Sequence, residues 1–195
     1  MAASALPDQG LLLISGPSRG GKSRWAEHLA AGWSGPVLYL ATGPSSSSDP
    51  SWAQRVALHQ QRRPNHWRCL EVGAELESEL ERLASTASPQ PGSVPCVLIE
   101  SLGTWIAWHL EEADAGWLQR CDRLVAALRD QPGPVLLVVE EAGWGVVPPT
   151  AIGLLFRDRL GALQQRLMQH SVDAWLVVAG RALNLFALGH AVPHT

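Results

Sequence analysis

Five short apolar runs punctuate the chain, at 11–15, 37–41, 97–99, 135–139 and 175–179. Each is continuous rather than alternating, as strands buried on both faces of a parallel sheet read. Between them the spacing turns helical, over 23–32, 52–62, 74–84, 105–110 with 117–129, and 150–170. This exchange of strand and helix predicts an α/β fold of three layers, a mostly parallel sheet with right-handed crossovers. The stretches 43–50, with four serines, and 85–95 predict exposed loops. Residues 1–10 read as a flexible N-terminal extension and 11–195 as one domain, with no internal repeat.

The residues just past each run carry more information than the run itself. In open parallel sheets, ligands bind beyond the carboxyl ends of the strands. The first run leads into a glycine-rich loop and the second into Ala41-Thr42-Gly43. The third ends on Glu100-Ser101, the fourth on Glu140-Glu141 and the fifth on Gly180-Arg181. Polar chemistry therefore gathers at one edge, although loops are polar in any protein.

Composition narrows the classes. The chain has 195 residues, 46% hydrophobic and 17% charged, which is enough for one substantial core. A formal net charge of -3 provides no general attraction to nucleic acid or an anionic membrane. Cys69, Cys96 and Cys121 form no Cys-x-x-Cys pair, which argues against zinc or a disulfide framework. Neither a signal peptide nor an apolar run of bilayer length is apparent, so a cytoplasmic protein is expected. Of fifteen lysines and arginines, all but Lys22 are arginine. A compact ammonium is thus kept for one place, where a forked guanidinium would be too bulky.

That place is Gly16-Pro17-Ser18-Arg19-Gly20-Gly21-Lys22-Ser23, which fits G-x-x-x-x-G-K-S between an apolar strand and an amphipathic helix. Converging backbone N–H groups and the helix N-terminus suit it to phosphate. Lys22 is expected to reach the β- and γ-phosphates, and Ser23 to ligate Mg2+. Glu100 ends the third run, where P-loop proteins usually place a carboxylate for the metal and its water. An ordinary strand-end carboxylate is the alternative there.

Arg55, His59 and Arg63 are spaced i, i+4 and i+8, on one helix face until Pro64 stops the helix. Flanking arginines would keep an imidazole neutral and could neutralise a phosphate under attack. By spacing alone, a solvated basic face is the commoner outcome. His28, His66, His109, His170, His190 and His194 have no comparable setting. The nine tryptophans read as core or interface.

The motifs, taken in order, resemble a known family. They are Gly21-Lys22-Ser23-Arg24-Trp25-Ala26-Glu27, then Arg55-x-x-x-His59-x-x-x-Arg63-Pro64-x-x-Trp67, then Glu100-Ser101-Leu102-x-Thr104-Trp105 and Phe156-Arg157-Asp158. The family is the bifunctional adenosylcobinamide kinase/adenosylcobinamide-phosphate guanylyltransferase of cobalamin biosynthesis, over about residues 11–185. The resemblance implies a RecA-like P-loop NTPase fold and a homotrimer. It implies phosphorylation of adenosylcobinamide by ATP or GTP, then guanylylation of an enzyme histidine by GTP and passage of GMP to adenosylcobinamide phosphate. His59 takes the place of that histidine. Gly16 to Ser23, Ala41, Thr42, Gly43, Gln60, Gln61, Arg62, Arg63, Glu71 and Glu100 take the GTP-contacting places. The chain departs from the family pattern at Ser51-Trp52, Glu140, Gln164 and Arg181-Ala182. A P-loop kinase for another small molecule and a non-catalytic GTP-binding module are the alternatives.

Overall fold

Placed in space, the five apolar runs are the inner strands of one sheet. The structure is a computed structural model that describes residues 6–44, 49–86, 92–145 and 147–193. The side chain of Arg55, residues 45–48 and 87–91 of the two expected loops, most of the expected N-terminal extension (1–5) and His194 lie outside the described residues. The strands are β1 (Gly10–Gly16), β2 (Val37–Ala41), β3 (Arg68–Glu71), β4 (Cys96–Glu100), β5 (Pro134–Glu140), β6 (Ser171–Val178) and β7 (Arg181–Asn184). The helices are α1 (Lys22–Ala31), α2 (Pro50–Arg62), α3 (Leu76–Thr86), α4 (Leu102–Trp108), α5 (Asp114–Arg129), α6 (Ala151–Met168) and α7 (Leu185–Leu188).

The sheet order is β3-β2-β4-β5-β1-β6-β7, parallel except for the β6–β7 pair. Side chains alternate between two cores, which is why the inner strands carry no polar face. Leu11, Leu13, Val135, Leu137 and Val139 face a layer formed by α3, α4, α5 and α6. Leu12, Ile14, Leu136 and Val138 face the other side, where Ala26, Leu29 and Ala30 of α1 pack. Leu6 packs against that second core and β1 already includes Gly10, so the expected extension meets the fold before residue 11.

Two strands and one helix exceed the expectation. β3 is a short edge strand with three of its four residues exposed, so it lacks an apolar run. β7 is an antiparallel edge strand. The fifth run does not open into a site loop at Gly180-Arg181; it turns back through Ala179 (φ 50) and Gly180 (φ 73) into a two-residue hairpin. Helix α7, only four residues long, is too short to show a period.

Candidate active site

β1 delivers the chain into the loop of residues 16–23. A Cβ on Gly20 would lie 2.6 Å from the carbonyl oxygen of Val177, so only glycine allows β6 to approach this closely. The Gly180 N–H donates to the Gly20 carbonyl at 3.1 Å, and the β6–β7 hairpin thereby pins the loop from behind. Gly21, at φ 110, turns the backbone into α1. Lys22 is 9% exposed, and its Nζ donates to the Pro17 carbonyl at 3.1 Å, spanning the loop.

The Ser23 hydroxyl donates to Glu100 Oε1 at 2.7 Å, which joins the start of α1 to the end of β4. Glu100 Oε2 is buried with no hydrogen-bond partner among the described residues. Burial, chiefly, pushes the Glu100 carboxyl up to about 7; the Ser23 hydrogen bond opposes this, and the charges of Glu140 and Glu27 add to it. A hydroxyl oxygen beside a carboxylate with an unused buried oxygen is the hard donor set that magnesium takes, so these residues fit Mg2+.

Next to this pair lies a cavity of about 600 Å3. Of the residues expected at the site, Ala41, Gly43, His59, Gln60, Arg63, Glu71 and Glu100 line it, together with Tyr39, Trp52, Cys69, Ser101, Thr104 and Glu140. Gln61, Arg62 and the loop residues Gly16 to Ser23 are not in its lining, and the loop reaches it only through the Ser23–Glu100 bond. Arg62 makes two 3.1 Å hydrogen bonds to the carboxylate of Glu27 on α1. Thr42 is fully buried and serves the scaffold. Its hydroxyl bonds the Ser101 carbonyl and accepts from the Ser101 N–H, both at 2.7 Å, so it ties the β2 end to the turn after β4.

Helix α2 begins at Pro50, capped by Asp49, whose side chain accepts from Ser51 N–H at 2.8 Å. It ends at Arg62, and Arg63 is extended (φ -75, ψ 136), the conformation a following proline enforces. Arg63 thus leaves the helical stripe, yet its guanidinium lies 3.7 Å from the Tyr39 ring centroid and faces the cavity. The sequence places only arginines beside His59. The fold adds a carboxylate, with Glu27 Oε1 3.9 Å from His59 Nδ1.

Comparison with known proteins fits this geometry. The family model for cobinamide kinase / cobinamide phosphate guanyltransferase matches residues 12–185. The chain belongs to this family. The Escherichia coli bifunctional adenosylcobalamin biosynthesis protein CobU is 33% identical over 184 residues, spanning 87% of this chain and 96% of its own length. The Pseudomonas aeruginosa protein CobP of the same description is 35% identical over 177 residues, spanning 89% and 95%. Among solved structures, the RadB recombinase superposes with a TM-score of 0.52 at 16% identity, over 88% of this chain and 75% of that one. The flagellar accessory protein FlaH from Methanocaldococcus jannaschii gives 0.51 at 14%, over 95% and 83%. These two establish the fold, a RecA-like P-loop NTPase.

Within this family fold, several cavity residues escape motif reading. Tyr39 and Cys69 sit on β2 and β3 two residues before Ala41 and Glu71, and the strand period of two brings each pair to one face. Trp52 is held by its Nε1 bond to the Pro44 carbonyl at 3.0 Å, and its ring leaves no room for a Cβ on Gly43. Only the period of an unrecognised edge strand, β3, could have signalled Cys69.

Proposed function

We propose that this chain phosphorylates adenosylcobinamide with ATP or GTP and then guanylylates the product through His59. The observation that carries this reading is the shared cavity: His59, Gln60 and Arg63 form one side of the space that also holds Glu100, the partner of Ser23. In the first reaction a substrate hydroxyl displaces a nucleoside diphosphate from the γ-phosphorus. The loop of residues 16–23 holds the phosphates and Lys22 balances the charge on the transferred group. Ser23 and Glu100 would hold Mg2+, which neutralises phosphate charge when bound.

In the second reaction an imidazole nitrogen of His59 attacks the α-phosphorus of GTP and pyrophosphate leaves. The substrate's phosphate oxygen then attacks the same phosphorus, and the P–N bond breaks. Dividing the transfer in this way replaces one difficult displacement with two easier ones. Glu27, held by Arg62, favours the tautomer protonated at Nδ1, which leaves the Nε2 lone pair for the attack. Arg63 supplies charge to the phosphate.

The expected homotrimer is consistent with exposed apolar side chains at the β7–α7 edge, Leu183, Phe186 and Leu188, which light scattering of the purified protein would test. No helix among the described residues is long and apolar enough to cross a membrane, and the cytoplasm is the proposed location. The chemical test is incubation with α-labelled GTP and magnesium. Wild type takes up acid-labile, base-stable label, and His59→Asn takes up none while retaining phosphorylation of adenosylcobinamide. Label persisting in His59→Asn would move the nucleophile to another residue.

A further inference from the structure

Glu140 is a cavity carboxylate that engages neither Ser23 nor His59. It ends β5, the strand between β1, which carries the phosphate loop, and β4, which carries Glu100. It is the register partner of Gly16, the first residue of the loop, and the next N–H, of Glu141, donates to the Gly16 carbonyl at 2.9 Å. Its side chain is fixed from the other flank. Ser101 Oγ donates a short hydrogen bond to Oε1, and the Gly103 N–H donates to Oε2 at 2.8 Å. A Cβ at position 103 would lie 2.5 Å from Oε2, so glycine there lets the carboxylate seat itself. Each oxygen accepts one of these bonds and keeps a second lone pair, and the carboxylate lines the cavity.

Among the described residues, three carboxylates line this cavity: Glu71, Glu100 and Glu140. Neighbouring strands are about 4.8 Å apart. β3, with Glu71, stands four strands from β1, roughly 19 Å, too far to serve a phosphate held by the loop. Glu100 is engaged by Ser23 at the metal-fitting pair. Glu140 stands one strand from the loop. A base must lie within hydrogen-bond reach of the proton it removes, and Glu140 is the cavity carboxylate that ends the strand beside the loop and is not engaged by Ser23.

We infer that Glu140, one of the positions where this chain departs from the family pattern, is the general base of its own phosphoryl-transfer half-reaction. As the hydroxyl oxygen of the substrate bonds to the γ-phosphorus, its proton passes to a Glu140 oxygen. The bond from that phosphorus to the bridging oxygen breaks, and the nucleoside diphosphate departs with the electron pair. Glu140 returns the proton to water before the next cycle. No further reactant is needed.

This inference rests on the kinase reading, and the experiment separates the two. Wild type is first assayed for phosphorylation of adenosylcobinamide; no product there would overturn the kinase reading itself. Glu140→Gln keeps the size of the side chain and one acceptor oxygen. Its kcat for phosphorylation should fall ~10²–10⁴-fold, with the nucleotide KM within about threefold of wild type. GMP labelling and GMP transfer to preformed adenosylcobinamide phosphate should fall far less than phosphorylation does. In Glu140→Ala, formate should restore at least about tenfold of the lost kinase rate, because a small carboxylate can occupy the vacated position. Phosphorylation by Glu140→Gln within about threefold of wild type would overturn the assignment. So would parallel loss of both half-reactions in both variants without formate rescue, because Glu140 would then only anchor the turn at Ser101–Gly103.

Discussion

Replacing Glu100 by Gln separates what this carboxylate does for the fold from what it does for the reaction. In the folded protein, burial raises its pKa to about 7 from an ordinary value of 4.5. A raised carboxyl pKa means that the folded state holds its proton more tightly than the unfolded chain. Stability contributed by this proton is complete below pH 4.5, falls as pH rises to about 7, and is absent above that. At about 1.4 kcal/mol per unit, the ionised group costs the fold roughly 3 kcal/mol at about pH 8. Gln never ionises, and its amide oxygen can still accept from Ser23. Glu100→Gln should therefore be more stable than wild type at about pH 8 in EDTA, by up to roughly 3 kcal/mol. In a chain of this size that is on the order of 6–12 °C in Tm. The difference should shrink to nothing near pH 4.5, the ordinary carboxyl value. Magnesium with nucleotide should reverse the ranking, because only the carboxylate gains from a cation at the unpaired Oε2. Thermal unfolding at several pH values, with and without magnesium nucleotide, reads both effects. A variant less stable than wild type at alkaline pH in EDTA, or a gap independent of pH, would refute the argument.

Other positions give simpler outcomes. Lys22→Ala should lower the kinase rate ~10²–10³-fold in a folded protein, as expected for loss of one charge-stabilising contact, and Lys22→Arg should do little better because the fork does not fit; steady-state kinetics checks both. Thr42→Val removes the hydroxyl that accepts from the buried Ser101 N–H, so stability should fall by about 1–3 kcal/mol, measured by urea unfolding.

Much of this was legible because the inner strands announce themselves. β1, β2, β4 and β5 are buried on both faces, so their sequences are unbroken apolar runs, and the phosphate loop follows one of them in the required strand–helix context. The edges were not legible for the complementary reason. β3 and β7 expose much of their surface to solvent, so no apolar run marks them. Their loss hid Cys69 and the true path after Val178. The α2 stripe was legible only in part: the helix runs through His59 as its spacing predicts, but Arg63 arrives by a pre-proline extended turn, and Glu27 arrives from another helix altogether. Contacts between elements distant in sequence, such as Ser23 with Glu100 or Ser101 with Glu140, have no periodic signal. Only the polar endings of the strands hinted at them.

Helix α1 gives the two proposed chemistries their separation. Its N-terminus belongs to the loop that suits the β- and γ-phosphates, and Ser23 sits in its first turn. Glu27 lies four residues further along, about 6 Å at 1.5 Å per residue, and there the helix meets His59. Glu140 stands at the other side of the loop, on β5. In the reactions proposed above, the γ-phosphorus would be attacked beside β5 and the α-phosphorus from α2. On that proposal, each half-reaction should survive loss of the other's key residue. An assay of overall conversion from adenosylcobinamide to the GDP adduct would hide this, because either defect stops the sequence. Supplying adenosylcobinamide phosphate to the Glu140 variant, and scoring phosphorylation alone in the His59 variant, exposes the division.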